Sequence, residues 1–179
     1  TILNLGINDE VAEGLTALTS NPRFVYDAYR RFIQMFSNVV MGIDADLFEN
    51  ALTEKRLMAG VRTDSELSAS TLHELVEEFK QIFCSHVDPK AHPELVQEGR
   101  VVFPQDPKVQ LKLAIEAVFG SWMNERASIY RKQHGISDSL GTAVNVQAMA
   151  YGNKGESSAT GVAFTRNPAT GERERYGDF

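Results

Sequence analysis

The residues best suited to chemistry in this chain lie between Gly152 and Gly161, in the string GNKGESSATG. Three glycines, three hydroxyl side chains and one lysine share these ten positions. A polyphosphate needs several N–H and O–H donors converging at close range, and bulky side chains obstruct them. Gly152, Gly155 and Gly161 let a backbone come close and take positive φ. Ser157, Ser158 and Thr160 add hydroxyl donors, and Lys154 adds a mobile positive charge. A solvated hairpin tip with no ligand has the same composition, so on residue types alone the two readings stand level. The loop does not match G-x-x-x-x-G-K-[ST], and a strand pattern follows it, not a helix. Phosphate bound here would lie beneath a flap, not at a helix N-terminus.

The flanks must position that loop. Val144, Val146, Ala148 and Ala150 alternate with Asn145, Gln147, Met149 and Tyr151, the period-2 pattern of a strand. After the loop, Val162, Phe164 and Arg166 alternate with Ala163 and Thr165, and NPATG turns the chain again. The expected unit is therefore strand, glycine loop, strand, turn, strand.

Most of the chain before it reads as helix. Asn8 caps a helix through Leu18, with Val11, Leu15 and Leu18 on one face. Asn21 and Pro22 start a long amphipathic helix that runs to Gly42, with Phe24, Ala28, Phe32, Met35, Phe36, Val39 and Val40 as its core stripe. Arg30 and Arg31 fall beside this stripe and read as a solvated edge. Asp44 or Asp46 opens a third helix ending near Gly60. Thr71 and Glu74 form a candidate capping box for a fourth, whose stripe is Leu72, Leu75, Val76, Phe79, Ile82 and Phe83. Cys84 closes it as a small apolar residue. Residues 85–107 carry Pro89, Pro93, Pro104 and Pro107 and read as an irregular linker. Asp106 with Pro107 caps a fifth helix, and Asn124 opens a sixth that Gly135 closes. Arg126, Arg131 and Lys132 read as its wet face.

The fold class is thus α+β, a helical lobe followed by helices and an antiparallel β-hairpin unit. The division expected is a helical subdomain at 1–100, including a leading segment 1–7 and the linker from about 85, then a second subdomain at 101–179 bearing the loop. Composition excludes several classes. A net charge of −6 argues against a nucleic-acid partner, and no apolar run is long enough for a membrane span. One cysteine rules out an intramolecular disulfide and suits a reducing cytoplasm. His86 and His92 flank Asp88 without zinc-ligand spacing, so no metal is expected there. The chain has no leading Met and stops at Phe179 with a strand under way, which reads as an excised piece.

Four strings in order carry a resemblance: ILNLG at 2–6, NPRFVYDAYRRFIQMF at 21–36, GTAVNVQAMAYGNKG at 141–155 and TGVAFTRNPATGE at 160–172. Together they resemble the nucleotide-binding region of the pyruvate, phosphate dikinase family. The resemblance implies an ATP-grasp-type domain that takes part in transfer of the β-phosphoryl of ATP to a histidine, with Mg2+ and ATP as cofactors. It implies that Gln147, Ala148 and Met149 border the adenine. Thr160 and Gly161 would hold the polyphosphate, Lys154 to Ala159 would form the mobile part of the flap, and Asp178 would stand near the nucleotide and its metal. Three positions depart from the family pattern: Ala159 for a Gly, Ala169 for a Ser and Asp178 for a Glu. The charges that complete the site, the phosphohistidine domain and the catalytic cysteine belong to other parts of such an enzyme. The resemblance therefore implies no catalytic residue here, a piece that is inactive alone, and a parent that is homo-oligomeric. Phosphoenolpyruvate synthase shares this region, and a helical interaction module without nucleotide is the reading from a different class.

Overall fold

A computed structural model describes residues 1–178; Phe179, where the sequence reads as strand, lies outside the described residues. Among the described residues the α-helices are α1 Asp9–Thr19, α2 Pro22–Met41, α3 Ala45–Ala59, α4 Ala69–His86, α5 Pro107–Ser121 and α6 Glu125–His134, and strand is sparse. The strands pair as β1 Val96–Gln97 with β2 Arg100–Val101, and β3 Val162–Phe164 with β4 Tyr176–Asp178, both antiparallel. This is the α+β class expected. The chain forms two compact units that part between Gln147 and Ala148.

Helix ends follow local capping chemistry. The side chains of Asn8, Asn21, Asp44, Ser68, Asp106 and Asn124 each accept a hydrogen bond from a first-turn N–H. Gly42, Gly60 and Gly135 close α2, α3 and α6 in the left-handed conformation. The start of α4 differs from the expectation. Ser68, not Thr71, is its cap, and the capping box lies upstream, where Glu66 accepts from the Thr63 and Arg62 N–H groups. Those N–H donors hold the Glu66 carboxyl below its usual range.

Helix α2 is the axis of the first unit and packs most extensively on α4, then on α1, α5 and α3. Phe24, Phe32, Phe36, Leu72, Leu75, Val76, Phe79 and Phe83 are buried as the helical stripes require. Val39 is an exception in the expected stripe, since it lies in the last turns of α2 and is exposed. Helix α1 is rolled from its expected face. Ala12 is buried while Leu18 is 81% exposed. Polar contacts at its start set that rotation. The Asn8 amide donates to the Gln105 carbonyl at 2.8 Å, and Asp9 accepts from Tyr29 Oη at 2.9 Å and Lys80 Nζ at 2.6 Å. Burial pushes the Tyr29 phenol far up from its usual pKa.

The stretch expected as an irregular linker contributes structure. Glu98 (φ 50°) and Gly99 (φ 79°) make the left-handed turn between β1 and β2, the geometry that suits a two-residue hairpin. Beyond it Phe103 enters the core, edge-on to Phe32, Phe36 and Phe83 at 5.9, 5.9 and 5.0 Å. Gln110, wholly buried, donates to the Ile7 and Pro104 carbonyls at 3.0 and 2.8 Å and accepts from the Gly6 N–H at 2.9 Å. Residue 100, where a division was expected, thus falls inside the first compact unit. Cys84 is half-buried, and that burial raises its thiol pKa.

Two arginines read as solvated are buried instead. Arg30 on α2 is 2% exposed and lies between Asp27 at 2.8 Å and Asp64 at 3.1 Å. Arg131 is the buried residue of α6. Its guanidinium stacks 4.1 Å from the Trp122 ring, donates to the Trp122 carbonyl and pairs with Asp138 at 2.6 Å. A helix with so little apolar burial is docked mainly through this one side chain. Arg131→Ala should therefore loosen α6 by about 1.5–3 kcal/mol, the range for hydrogen bonds to charged groups. Trp122 is the chain's single tryptophan, so its emission should shift to the red. An unchanged spectrum and melting curve would show that the stack does not dock α6.

Candidate functional site

The expected site residues fall at the end of the first unit and along the second. Gln147 is the last residue of the first unit and is exposed. Ala148 and Met149 open the second and are exposed as well. The strand expected over Val144–Tyr151 belongs to neither of the two-stranded sheets among the described residues. Its alternating pattern favours an extended backbone, but a strand exists only where a ladder forms, and Val146 is 66% exposed. The expected hairpin across the glycine loop is corrected accordingly. β3 pairs forward with β4, placing Val162 opposite Asp178, Ala163 opposite Gly177 and Phe164 opposite Tyr176.

That pairing rests on the NPATG turn. Asn167 Oδ1 accepts from the Ala169 N–H at 2.9 Å and the Thr170 N–H at 3.3 Å. The Gly171 N–H reaches the Asn167 carbonyl at 2.8 Å, with Gly171 at φ 75°. This is an Asx-type turn, and Asn supplies its acceptor. The backbone of position 169 makes the contact, so Ala here keeps the turn without a hydroxyl.

The loop itself is closed on its own backbone. The Ser158 N–H donates to the Gly155 carbonyl at 2.9 Å, while Gly152 lies against Ala159 and Thr160. Neither Gly152 nor Gly155 has positive φ, contrary to the expected use of these glycines. Gly152 serves close approach instead. Lys154 and Thr160 are exposed, and Tyr151, just before the loop, is half-buried with its phenol pKa raised by that burial. Gly161 and Asp178, distant in sequence, line one open groove of roughly 690 Å³ together with Phe164, Arg175 and Tyr176. Sequence reasoning passed over Arg175 and Tyr176. Their signal was present in the Arg–Tyr pair at the start of the last strand, but only the β3–β4 register, which sets Tyr176 opposite Phe164, brings them into the groove that Gly161 also lines.

This arrangement can offer donors, the Lys154 ammonium of the loop and the Arg175 guanidinium of the groove to an anion, with the Asp178 carboxylate on the strand position opposite Val162. It does not hold a metal by itself. No group of three or more His, Cys, Asp or Glu side chains is placed to ligate one among the described residues. Asp178 alone is too few donors for Mg2+, which takes near-octahedral oxygen ligation. Nor is any helix among the described residues long and apolar enough to cross a membrane.

Comparison with known proteins matches the chain to a family. The family model described as pyruvate phosphate dikinase, AMP/ATP-binding domain, matches residues 1–177. Pyruvate, phosphate dikinase of Clostridium symbiosum is 49% identical over 179 residues, covering 100% of this chain and 19% of that protein. The Rhizobium meliloti (strain 1021) enzyme is 50% identical over 180 residues with the same coverage. The chloroplastic pyruvate, phosphate dikinase 1 of Zea mays is 50% identical, with 18% of its length covered. The chain thus spans about one fifth of the length of these relatives. A match over 177 residues, carried by the helical unit as well as the loop, leaves one conclusion: the chain belongs to the pyruvate phosphate dikinase AMP/ATP-binding domain family.

Proposed function

We propose that this chain is the part of a pyruvate, phosphate dikinase that folds over the phosphates of ATP. The whole enzyme would convert ATP, pyruvate and phosphate to AMP, phosphoenolpyruvate and pyrophosphate. The observation that carries the reading is the closed loop Gly152–Thr160, which leads directly into the groove shared by Gly161 and Asp178. In this reading Lys154 and Thr160 donate to phosphate oxygens, Gly161 lets the backbone approach them, and Gln147, Ala148 and Met149 border the adenine. Asp178 contributes one carboxylate toward Mg2+, with other ligands supplied from beyond this segment. Phosphoryl transfer depends on concentrated positive charge around the transferring group. One lysine in the loop is too little, so the isolated chain is inactive. The pyrophosphoryl group of ATP would pass to a histidine on a separate domain of the same parent, a homo-oligomer, with AMP leaving. Inorganic phosphate would then take the outer phosphoryl as pyrophosphate and leave a phosphohistidine. A reducing, cytoplasmic setting fits the single half-buried thiol, and the acidic net charge fits neither nucleic acid nor an anionic membrane surface.

Gly161→Val in the full-length protein tests this. The ATP-side partial reaction should fall about tenfold or more in kcat/KM, equivalent to at least about 1.4 kcal/mol. Exchange between pyruvate and phosphoenolpyruvate should be untouched. Survival of both half-reactions would remove the loop from nucleotide chemistry.

A further inference from the structure

The residues 153–159 leave and return through one narrow neck. A Cβ placed on Gly152 would overlap the Thr160 hydroxyl oxygen. It would also lie 2.7 Å from the Ala159 carbonyl oxygen and 2.8 Å from the Thr160 Cβ. Gly155, inside the loop, meets nothing within 4 Å. Of these two glycines only Gly152 is required by its surroundings. One of its obstacles is a backbone carbonyl, which cannot rotate aside as a side chain can.

We propose that Gly152 is a positioning residue for nucleotide binding. Its missing side chain lets Thr160 close the neck, so that Lys154, Ser157, Ser158 and Thr160 are presented as one preformed loop. The inference rests on reading this loop as the cover over the ATP phosphates, and adds how its donors are held before ATP arrives. A loop already closed loses less conformational freedom on binding than an open one, and this favours affinity. Any Cβ at position 152 must either turn Thr160 out of place or part the two ends. Both scatter the donors without removing one of them.

The test uses the full-length protein and trypsin, which cuts after Lys154, in the absence of nucleotide. Gly152→Ala should speed cleavage at Lys154 about threefold or more and raise KM for ATP about fivefold. The change in kcat should be smaller, and pyruvate-side exchange should be retained. Thr160→Gly opens the neck from the other side without adding bulk and should also speed cleavage. Combining the two should give less than the product of the single effects, as expected for residues in contact. Unchanged cleavage in Gly152→Ala overturns the proposal, whether or not KM moves. Fully multiplicative effects in the double variant overturn it too, and remain readable if either variant is partly destabilised. Faster cleavage with an unchanged KM for ATP gives a different result. The neck then stands, and the assignment of the loop to nucleotide falls.

Discussion

Replacing Arg30 by Ala is expected to destabilise the first unit by about 3 kcal/mol, the lower end of the cost of breaking a buried ion pair. Arg30 bridges two carboxylates from separate parts of the chain, Asp27 one turn away on α2 and Asp64 in the turn before α4. Asp27 keeps the half-exposed Arg31 at 3.0 Å, and Asp64 keeps Arg56 at 3.3 Å. Without Arg30 the two carboxylates face each other across the space it leaves. Arg23 holds the same turn through the Leu67 and Asp64 carbonyls at 3.1 and 2.8 Å, so the turn should loosen before it detaches. For a chain of this size the midpoint of thermal unfolding should fall by roughly 10 °C. Arg30→Lys should recover little, because an ammonium cannot span both partners with the planar geometry of guanidinium. Arg30→Met combined with Asp27→Leu should recover most of the loss, since an apolar pair leaves no buried charge. Circular dichroism melts of the three variants would check this. A loss below about 0.5 kcal/mol for Arg30→Ala, the usual size for a surface change, would mean that the bridge is idle.

Phe103→Ala should cost about 3–5 kcal/mol, in the range for removal of a buried aromatic ring. Its ring meets Phe32 and Phe36 of α2 and Phe83 of α4, and Tyr29 at 6.5 Å. Removal takes away edge-to-face contacts from several rings at once and leaves a void that two rigid helices cannot close. Phe103→Leu should cost clearly less, since it fills part of that void. The measurement also bears on how the chain is divided. If residues near 100 were a linker, truncating the ring would change the melting midpoint by no more than an exposed substitution does. A large loss instead ties 101–114 to the helical core, where Leu113 and Ala114 are buried as well.

Both predictions concern residues whose environment was not legible in the sequence, and the reason is distance along the chain. Helix limits were legible because a cap is decided within one turn. Asn21 with Pro22, Asp106 with Pro107, and Asn124 each start a helix by satisfying an N–H a few residues on. The glycines at 42, 60 and 135 end helices because their own φ is enough. The start of α4 was misplaced because two hydroxyl residues, Ser68 and Thr71, both suit the role. Helix context alone favoured the one followed by an acid.

The loop between Gly152 and Gly161 divides along the same line. Its stock of donors and its glycine content are composition, and composition is in the sequence. So is the turn at NPATG, whose Asn acceptor acts within three residues. Which strands pair is not. An alternating run such as Val144–Tyr151 specifies a pleated surface but no partner, and the ladder that forms runs from β3 forward to β4. The burial of Arg30, Gln110 and Arg131 escaped the sequence for an allied reason. Polar side chains enter a core only when fixed partners meet them there, and Asp64, the Gly6 and Ile7 backbone and the Trp122 ring are brought up by the packed helices and turns. What the sequence determined by itself was therefore each element and the chemistry available to the loop. The tertiary structure decided which charges are buried, which strand edges meet, and that Gly152 serves contact with Thr160, because each depends on atoms that local propensity cannot bring together.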